Sequence, residues 1–209
     1  MKLALKIPRQ HFKELAKYTD ILLVDPVTSL YADLEKKEIW VHGGSVSERL
    51  NLAKELKAKV IIAPSSPHDP RYTEYQIRNL VELQREQKTC FEVAGYWWGF
   101  KKDLVLLSHL CTHILLPSDK LRTQEVQNGD SGLYWYHGFR TLEELVKYPP
   151  KGLITDMPIK AAIFGVSLEH RERKPSLPDL DPNLKLTDNQ LEAVVSNITL
   201  MRKAAKGLI

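Results

Sequence analysis

The stretch HGFRTLEELVKYPPKGLITDMPIK, residues 137–160, contains one full repeat of the predicted fold. It reads as a strand end, a helix that starts at Thr141, a second apolar strand, GLITD, and then the carboxylate of Asp156. Strand, helix and strand in this order are typical of a parallel α/β sheet. Asp156 follows a buried strand, and in a barrel the ends of such strands form the face on which catalytic groups converge.

Eight short apolar runs recur along the chain and predict eight strands. They alternate with segments of helical period, which indicates a parallel sheet buried on both faces. The runs are KLALKI, DILLVD, EIWVHG, KVIIAP, CFEVAG, HILLPS, LYWYHG and GLITD. We therefore predict an α/β fold, a compact (β/α)8 TIM-type barrel with an extra C-terminal helix. A doubly wound open sheet with fewer strands is the competing architecture.

The length of 209 residues and the 43% hydrophobic content predict one domain that spans residues 1–209. A polar loop is expected at 120–132, an extended wrap at 170–186 and the C-terminal helix at 187–207. Three helices carry the sequence signature of a capping box, a hydroxyl side chain followed three residues later by Glu or Gln. These pairs are Ser45 with Glu48, Thr141 with Glu144, and Thr187 with Gln190.

Composition excludes several classes of protein. The net charge of +4 is too small to imply nucleic acid, and the two cysteines support neither a disulfide framework nor a zinc site. No signal peptide and no run long enough to span a membrane are seen, which leads us to expect a cytoplasmic protein. The scattered histidines form no metal set, and we predict neither a metal nor a cofactor.

Two features could carry chemistry. Asp156 could act as a nucleophile or base, but it could equally cap the helix IKAAIFGV, since Asp is a common N-cap and Pro158 suits a first turn. His42 lies in the run VHGG, where the Gly43 and Gly44 amides could approach a phosphate or a flat base. Glycines at a strand-to-helix turn are also ordinary turn chemistry, which is the more frequent case.

The run GYWWGF, residues 95–100, places three aromatic side chains directly after a strand. One of them could stack on a nucleobase or another flat ligand at the barrel mouth. Packing between barrel and helices would account for one or two of them equally well.

Several motifs in order resemble those of tRNA-guanine transglycosylases. The stretch GFRTLEELVKYPPKGLITDMPIK is similar to the late segment of that family, and VHGGSV, APSSPHDPRYTEYQIRN and EVAGYWW resemble its Asp-Ser-Gly-Gly loop, its base-recognition segment and its Gln-Gly-Gly loop. The layout is closest to the short phage members and those that modify DNA with deazaguanine. The resemblance implies that Asp156 is the nucleophile of a pentosyl transfer and His42 an acid or base. The implied substrate-binding residues are Gly43, Gly44, Ser65, Ser66, Gly95, Tyr96, Trp97, His137, Gly138 and Lys160.

The chain also departs from that family. Val41 and His42 replace its acidic loop, Val93 and Ala94 replace its glutamine, and the zinc-binding cysteine cluster is absent. The resemblance thus implies an enzyme that handles a nucleobase or nucleoside, free or within DNA or RNA, without a membrane partner; its oligomeric state is open. The alternatives are a noncatalytic barrel that acts as a binding or assembly protein, and a small-molecule, phosphate-binding barrel enzyme.

Overall fold

The computed structural model describes residues 1–28, 37–99, 101–117, 132–136, 141–169 and 177–209, of which 101, 117 and 132–136 are described by backbone alone. Each of the eight apolar runs overlaps a strand. The strands are β1 Lys2–Leu5, β2 Ile21–Val24, β3 Glu38–Val41, β4 Val60–Ile62, β5 Glu92–Tyr96, β6 His113–Pro117, β7 Gly132–Tyr136 and β8 Gly152–Thr155.

Every strand pairs in parallel with its neighbours in sequence. The first strand also pairs with the last, so that the sheet closes into a barrel. The predicted α/β fold with a parallel sheet is confirmed, because short branched runs buried on both faces favour such strands.

Seven α-helices surround this sheet in the described part of the chain. They are α1 Phe12–Ala16, α2 Val46–Glu55, α3 Pro70–Gln87, α4 Lys101–Leu110, α5 Leu142–Lys147, α6 Met157–Phe164 and α7 Asp188–Ala204. The predicted (β/α)8 barrel also requires a helix after every strand, and the described residues show such a helix after only some of the strands. The connections from β2 to β3 and from β6 to β7 include residues 29–36 and 118–131, which lie outside the described residues, as does most of the predicted loop at 120–132.

Two of the three predicted capping boxes form in full, and at the third the hydroxyl accepts the expected backbone bond. Full capping boxes form at Ser45 and at Thr187, where each hydroxyl accepts a backbone bond and the side chain three residues later bonds back. At α5, Thr141 Oγ1 accepts from the Glu144 amide at 3.2 Å. Because these bonds satisfy amides that a helix leaves unpaired, they fix where each helix begins.

Alternation along the strands divides the core into two layers. One set of buried side chains lies inside the barrel: Ala4, Ile21, Leu23, Trp40, Val60, Ile62, Ala94, Tyr96, Leu115 and Ile154. Their neighbours in sequence, such as Leu22 and Ile61, belong to the layer between barrel and helices. Because side chains alternate with period two, the same alternation decides whether the residue that follows a strand points into the barrel or toward the helices.

The C-terminal part of the chain packs against this barrel. The helix α7 contacts α5 and α6 and buries Val194, Ile198 and Met201, and Gly207 follows it with a φ of 67°. Residues 177–187, at the end of the predicted wrap, form no helix or strand, and residues 170–176 lie outside the described part. None of the described helices is long and apolar enough to cross a membrane.

Candidate functional site

Four polar side chains meet in one cavity at the carboxyl ends of the strands. Lys6, Asp25, His42 and Asp156 follow β1, β2, β3 and β8, and all line a cavity of about 370 Å³. The strand registers place Lys6 beside Asp156 and Asp25 beside His42, because Leu5 pairs with Thr155 and Val24 with Val41. Each of these four residues lies two positions after a side chain that points into the barrel, so its own side chain also points inward. Together the four side chains form the top layer of the barrel interior.

Asp25 is held by the turn that follows it. Its Oδ1 accepts bonds from the Val27 amide at 2.9 Å, the Thr28 amide at 2.7 Å and the Thr28 hydroxyl at 3.0 Å. Burial acts to raise the pKa of Asp25, but these hydrogen bonds and the nearby His42 outweigh it and lower the pKa below its ordinary value. Asp25 is therefore a fixed carboxylate beside His42.

Asp156 stands at the N-cap position of α6, yet its side chain makes no cap hydrogen bond. The Met157 amide instead bonds to Thr155 Oγ1 at 3.0 Å. The Asp156 carboxylate faces Lys160, one turn later, with Oδ2 2.9 Å from Nζ, and both side chains are only 8% exposed. Asp156 follows β8, as predicted, but its carboxylate forms an ion pair with Lys160 and does not cap the helix.

Cationic groups lie on the β1 side of this cavity. Lys6 and Arg9 both line it, and the Arg9 Nε is buried with no hydrogen-bond partner among the described residues. The Arg9 amide donates to the Pro182 carbonyl at 3.0 Å, and this bond brings Asp179 and Asp181 to the rim. The positive charges of Lys6 and Arg9 would attract an anionic group of a ligand to this side of the cavity.

Gly43 and Gly44 form the turn between β3 and α2. Their φ angles are 72° and 70°, which only glycine adopts readily. Gly43 packs on Asp25, since a Cβ there would lie 3.1 Å from the Asp25 Cβ, and a Cβ on Gly44 would lie 2.8 Å from Glu48 Oε2. The Glu48 carboxylate already accepts bonds from the amide and hydroxyl of Ser45 at this helix start. A carboxylate at this helix start would repel a bound phosphate.

The aromatic run is divided by strand alternation. Trp97 is 1% exposed within the outer core, and Gly95 packs against Ile77 and Cys111, so neither lines the cavity. Tyr96 faces inward but lines a different cavity together with Trp98.

Other predicted site residues lie apart from this constellation. Ser65 and Ser66 follow β4 and do not line the cavity; the Ser66 amide donates to Thr73 Oγ1 at 3.0 Å. His137 and Gly138 lie outside the described residues. Within the described part of the chain, no group of three or more His, Cys, Asp or Glu side chains is arranged to hold a metal ion.

The predicted site residues included Asp156, His42 and Lys160 but neither Lys6 nor Arg9. Asp25 belongs to the polar residues that follow the predicted strands, as Asp156 does, although it was not among the predicted site residues. Lys6 could have been found by counting inward positions from Ala4 along β1. No pattern in the sequence points to Arg9, because the late wrap at Pro182 helps to position it.

No protein-family model matches the chain, and no curated protein matches it in sequence. Solved structures match its fold. A chain of the Amycolatopsis orientalis BexX/CysO complex is 8% identical with a TM-score of 0.58, covering 99% of this chain and 90% of that one. The YdjI aldolase from Escherichia coli K12 is 10% identical, with a TM-score of 0.55 and coverages of 99% and 89%. Thiamine phosphate pyrophosphorylase from Bacteroides thetaiotaomicron is 14% identical, with a TM-score of 0.53 and coverages of 99% and 98%.

These neighbours overturn the resemblance to tRNA-guanine transglycosylases. None of the three solved structures above is named as one, and no family model supports the degenerate motifs. The motif order that suggested the family is the order of strand ends and helix starts in any parallel barrel, so it follows from the architecture. At these identities, the comparisons establish that the chain shares the fold of these barrels.

Proposed function

We propose that the protein is an enzyme that moves a proton at a carbon next to the carbonyl group of a small anionic molecule. The observation that carries this proposal is the convergence of Lys6, Asp25, His42 and Asp156 in one cavity at the carboxyl ends of four strands. Polar groups in that position are the usual catalytic groups of such barrels. The cavity of about 370 Å³ has the size of a small-molecule site.

His42 is the proposed base. It takes a proton from the carbon, the electron pair of the C–H bond moves toward the carbonyl oxygen, and an enolate forms. Asp25 lies beside His42 and stabilises the imidazolium that results. The same proton then returns from His42 to the carbon, or exchanges with solvent first.

Lys6 and Arg9 are the proposed binding groups for negative charge. An ammonium group near the carbonyl oxygen stabilises the enolate as charge develops on it. Arg9 also lines the cavity, and its guanidinium would bind a carboxylate or phosphate of the substrate. Lys160 serves as a positioning residue, because its ion pair fixes the Asp156 carboxylate at the mouth.

We therefore retain the alternative of a small-molecule, phosphate-binding barrel enzyme, but we propose that Lys6 and Arg9 bind the anion. The Gly43 and Gly44 amides are less suited to phosphate, because Glu48 places a carboxylate at that helix start. Two of the similar barrels are named as an aldolase and a thiamine phosphate pyrophosphorylase. Their names support a small-molecule enzyme at the level of fold analogy only.

Solvent exchange tests the proposal even when the product of the reaction is unidentified. The protein is incubated in D2O with a panel of 2-oxo acids and keto-sugar phosphates, and proton NMR follows the signal of the hydrogen next to the carbonyl. We expect protein-dependent loss of that signal for at least one compound. A panel in which no compound exchanges faster than in buffer would contradict the proposal.

A further inference from the structure

Arg49 is a buried cation that reaches the turn after His42 from the layer of helices. It lies on α2, one turn after the helix start at Ser45, and is only 8% exposed. Its Nε donates to the Gly43 carbonyl at 2.8 Å, and its Nη1 donates to the Ile62 carbonyl. These carbonyls lie where β3 and β4 end, on the face of the barrel that contains the proposed site. One guanidinium thus ties α2 to the ends of two neighbouring strands.

The turn that Arg49 contacts consists of two glycines, Gly43 and Gly44, both with positive φ. Glycine has the widest conformational freedom of all residues, so a turn made of two glycines needs other contacts to hold one conformation. The bond from Arg49 restrains the carbonyl of the first glycine. The capping box of Ser45 and Glu48 fixes the start of α2 directly after the second glycine. The helix start and the guanidinium therefore restrain the same turn.

The position of this turn affects the contact between His42 and Asp25. Gly43 lies against Asp25, because a Cβ at Gly43 would be 3.1 Å from the Asp25 Cβ. His42 directly precedes Gly43, and its amide donates to the Val24 carbonyl at 3.0 Å. His42 also contributes to the lowered pKa of Asp25, so the two side chains interact. A shift of the Gly43 turn would change their separation.

We infer that Arg49 is a positioning residue, which holds the Gly43 turn so that His42 stays beside Asp25. Its effect on catalysis rests on the proposed function, whereas its effect on the His42 side chain does not. Arginine suits this role because its guanidinium carries five N–H donors in a fixed plane and can bond two carbonyls at once. The ammonium of a lysine is a compact charge on a flexible stem and would not hold both carbonyls in the same geometry.

The first test follows the His42 imidazole by NMR in histidine-labelled protein as pH is varied, after assignment of its signal by loss in His42→Gln. A carboxylate beside an imidazole stabilises the charged form of the ring. A looser contact with Asp25 should therefore move the midpoint of the His42 titration to lower pH. We expect this shift in Arg49→Lys and in Arg49→Met. A midpoint that is unchanged in both variants, with thermal melting showing them folded, would overturn the inference.

A double-mutant cycle tests whether Arg49 acts through Asp25. Asp25→Asn removes the charge, so the further change Arg49→Lys should move the His42 midpoint little in that background. Equal shifts with and without the Asp25 charge would show a general structural effect and would overturn the inference.

Two control variants lie away from this turn. Arg85→Lys replaces an exposed arginine on α3, and Ile198→Val is a mild core change on α7 that should lower stability slightly. Both should keep the wild-type midpoint of the His42 titration. A shift in Ile198→Val as large as that in Arg49→Lys would show that any loss of stability moves the midpoint, and the inference would fail.

The D2O exchange assay tests the catalytic consequence. At a pH above the His42 midpoint, we expect exchange in Arg49→Lys to be slower by roughly tenfold, because a small displacement of a catalytic group lowers the rate steeply. The rise of exchange with pH should also begin at lower pH. Exchange at the wild-type rate in Arg49→Lys would overturn the positioning role. No exchange in the wild type would contradict the proposed function, and the His42 titration would still decide whether Arg49 holds this contact.

Discussion

The Nζ of Lys160 lies 2.9 Å from the Oδ2 of Asp156, and both side chains are almost fully buried at the mouth of the barrel. The pair joins two consecutive turns of α6, and its carboxylate faces the proposed site rather than the helix start. Removing one member of a buried pair leaves an uncompensated charge, whereas removing both does not.

We therefore expect Lys160→Met to lower the free energy of unfolding by about 3–5 kcal/mol at neutral pH. The double variant Asp156→Leu with Lys160→Met should be less destabilised, because no charge remains buried. Lys203→Met on the exposed side of α7 is the control and should change stability by about 0.5 kcal/mol or less. Urea unfolding measures all three. A loss below about 1 kcal/mol for Lys160→Met would contradict the buried pair.

Asp25 predicts a dependence of stability on pH. Its pKa is lowered in the folded protein, chiefly because the hydrogen bonds from Thr28 and Val27 outweigh the effect of burial. The unfolded chain then takes up a proton first as pH falls. The stability from this group is complete above the unfolded pKa, roughly pH 4, and is lost as pH falls through the lowered folded pKa.

We accordingly expect Asp25→Asn to be less stable than the wild type at neutral pH and the difference to shrink in acid below roughly pH 4. Urea unfolding at a series of pH values measures this difference. Asp188→Asn, at an exposed carboxylate on α7, is the matched control. Its free energy of unfolding should change with pH in the same way as that of the wild type. A difference for Asp25→Asn that stays constant into strong acid would contradict the assignment.

Gly95 predicts a packing effect. A Cβ at this position would lie 2.7 Å from Ile77 Cδ1 and 2.8 Å from Leu107 Cδ2. We expect Gly95→Ala to destabilise the protein by about 1–3 kcal/mol through overpacking. Adding Ile77→Val removes the methyl group in the clash, so the two changes together should cost less than their sum. Additive effects in a thermal or urea unfolding cycle would show that the clash is not the cause.

The two cysteines should differ in reactivity. Burial raises the pKa of the Cys111 thiol to about 12, whereas Cys90 is exposed. The thiolate is the reactive form, so one thiol of the native protein should react rapidly with dithiobis(nitrobenzoate) at pH 8 and the second only after unfolding. The variant Cys90→Ser should have no rapid phase. Two rapid thiols in the native wild type would contradict the burial of Cys111.

Much of the fold could be predicted from the sequence because each apolar run forms a strand whose side chains pack in the core on both faces of the sheet. Val60, Ile61 and Ile62 are all buried, and a continuous apolar run of this kind predicts a strand covered on both faces. The capping pairs at Ser45 and Thr187 set two helix starts by local bonds alone. Such features do not depend on distant contacts.

The site was predictable only in part, because its geometry depends on register. The position of Asp25 beside His42 follows from the pairing of Val24 with Val41, which links residues far apart in sequence. In the aromatic run, a shift of one residue decides that Trp97 packs in the outer core while Tyr96 faces inward. Motif order could not resolve such differences, and for the same reason it suggested a family that the comparisons contradict.

The most direct test of the proposed function compares His42→Gln with the wild type in the D2O exchange assay. His42 lines the cavity, whereas His109 is exposed on α4, so His109→Gln is the matched control. We predict exchange in the wild type and in His109→Gln, and a loss of about 100-fold or more in His42→Gln, the usual contribution of a general base. Exchange that is unchanged in His42→Gln, or absent from the wild type, would contradict the assignment of this cavity as a site of proton transfer.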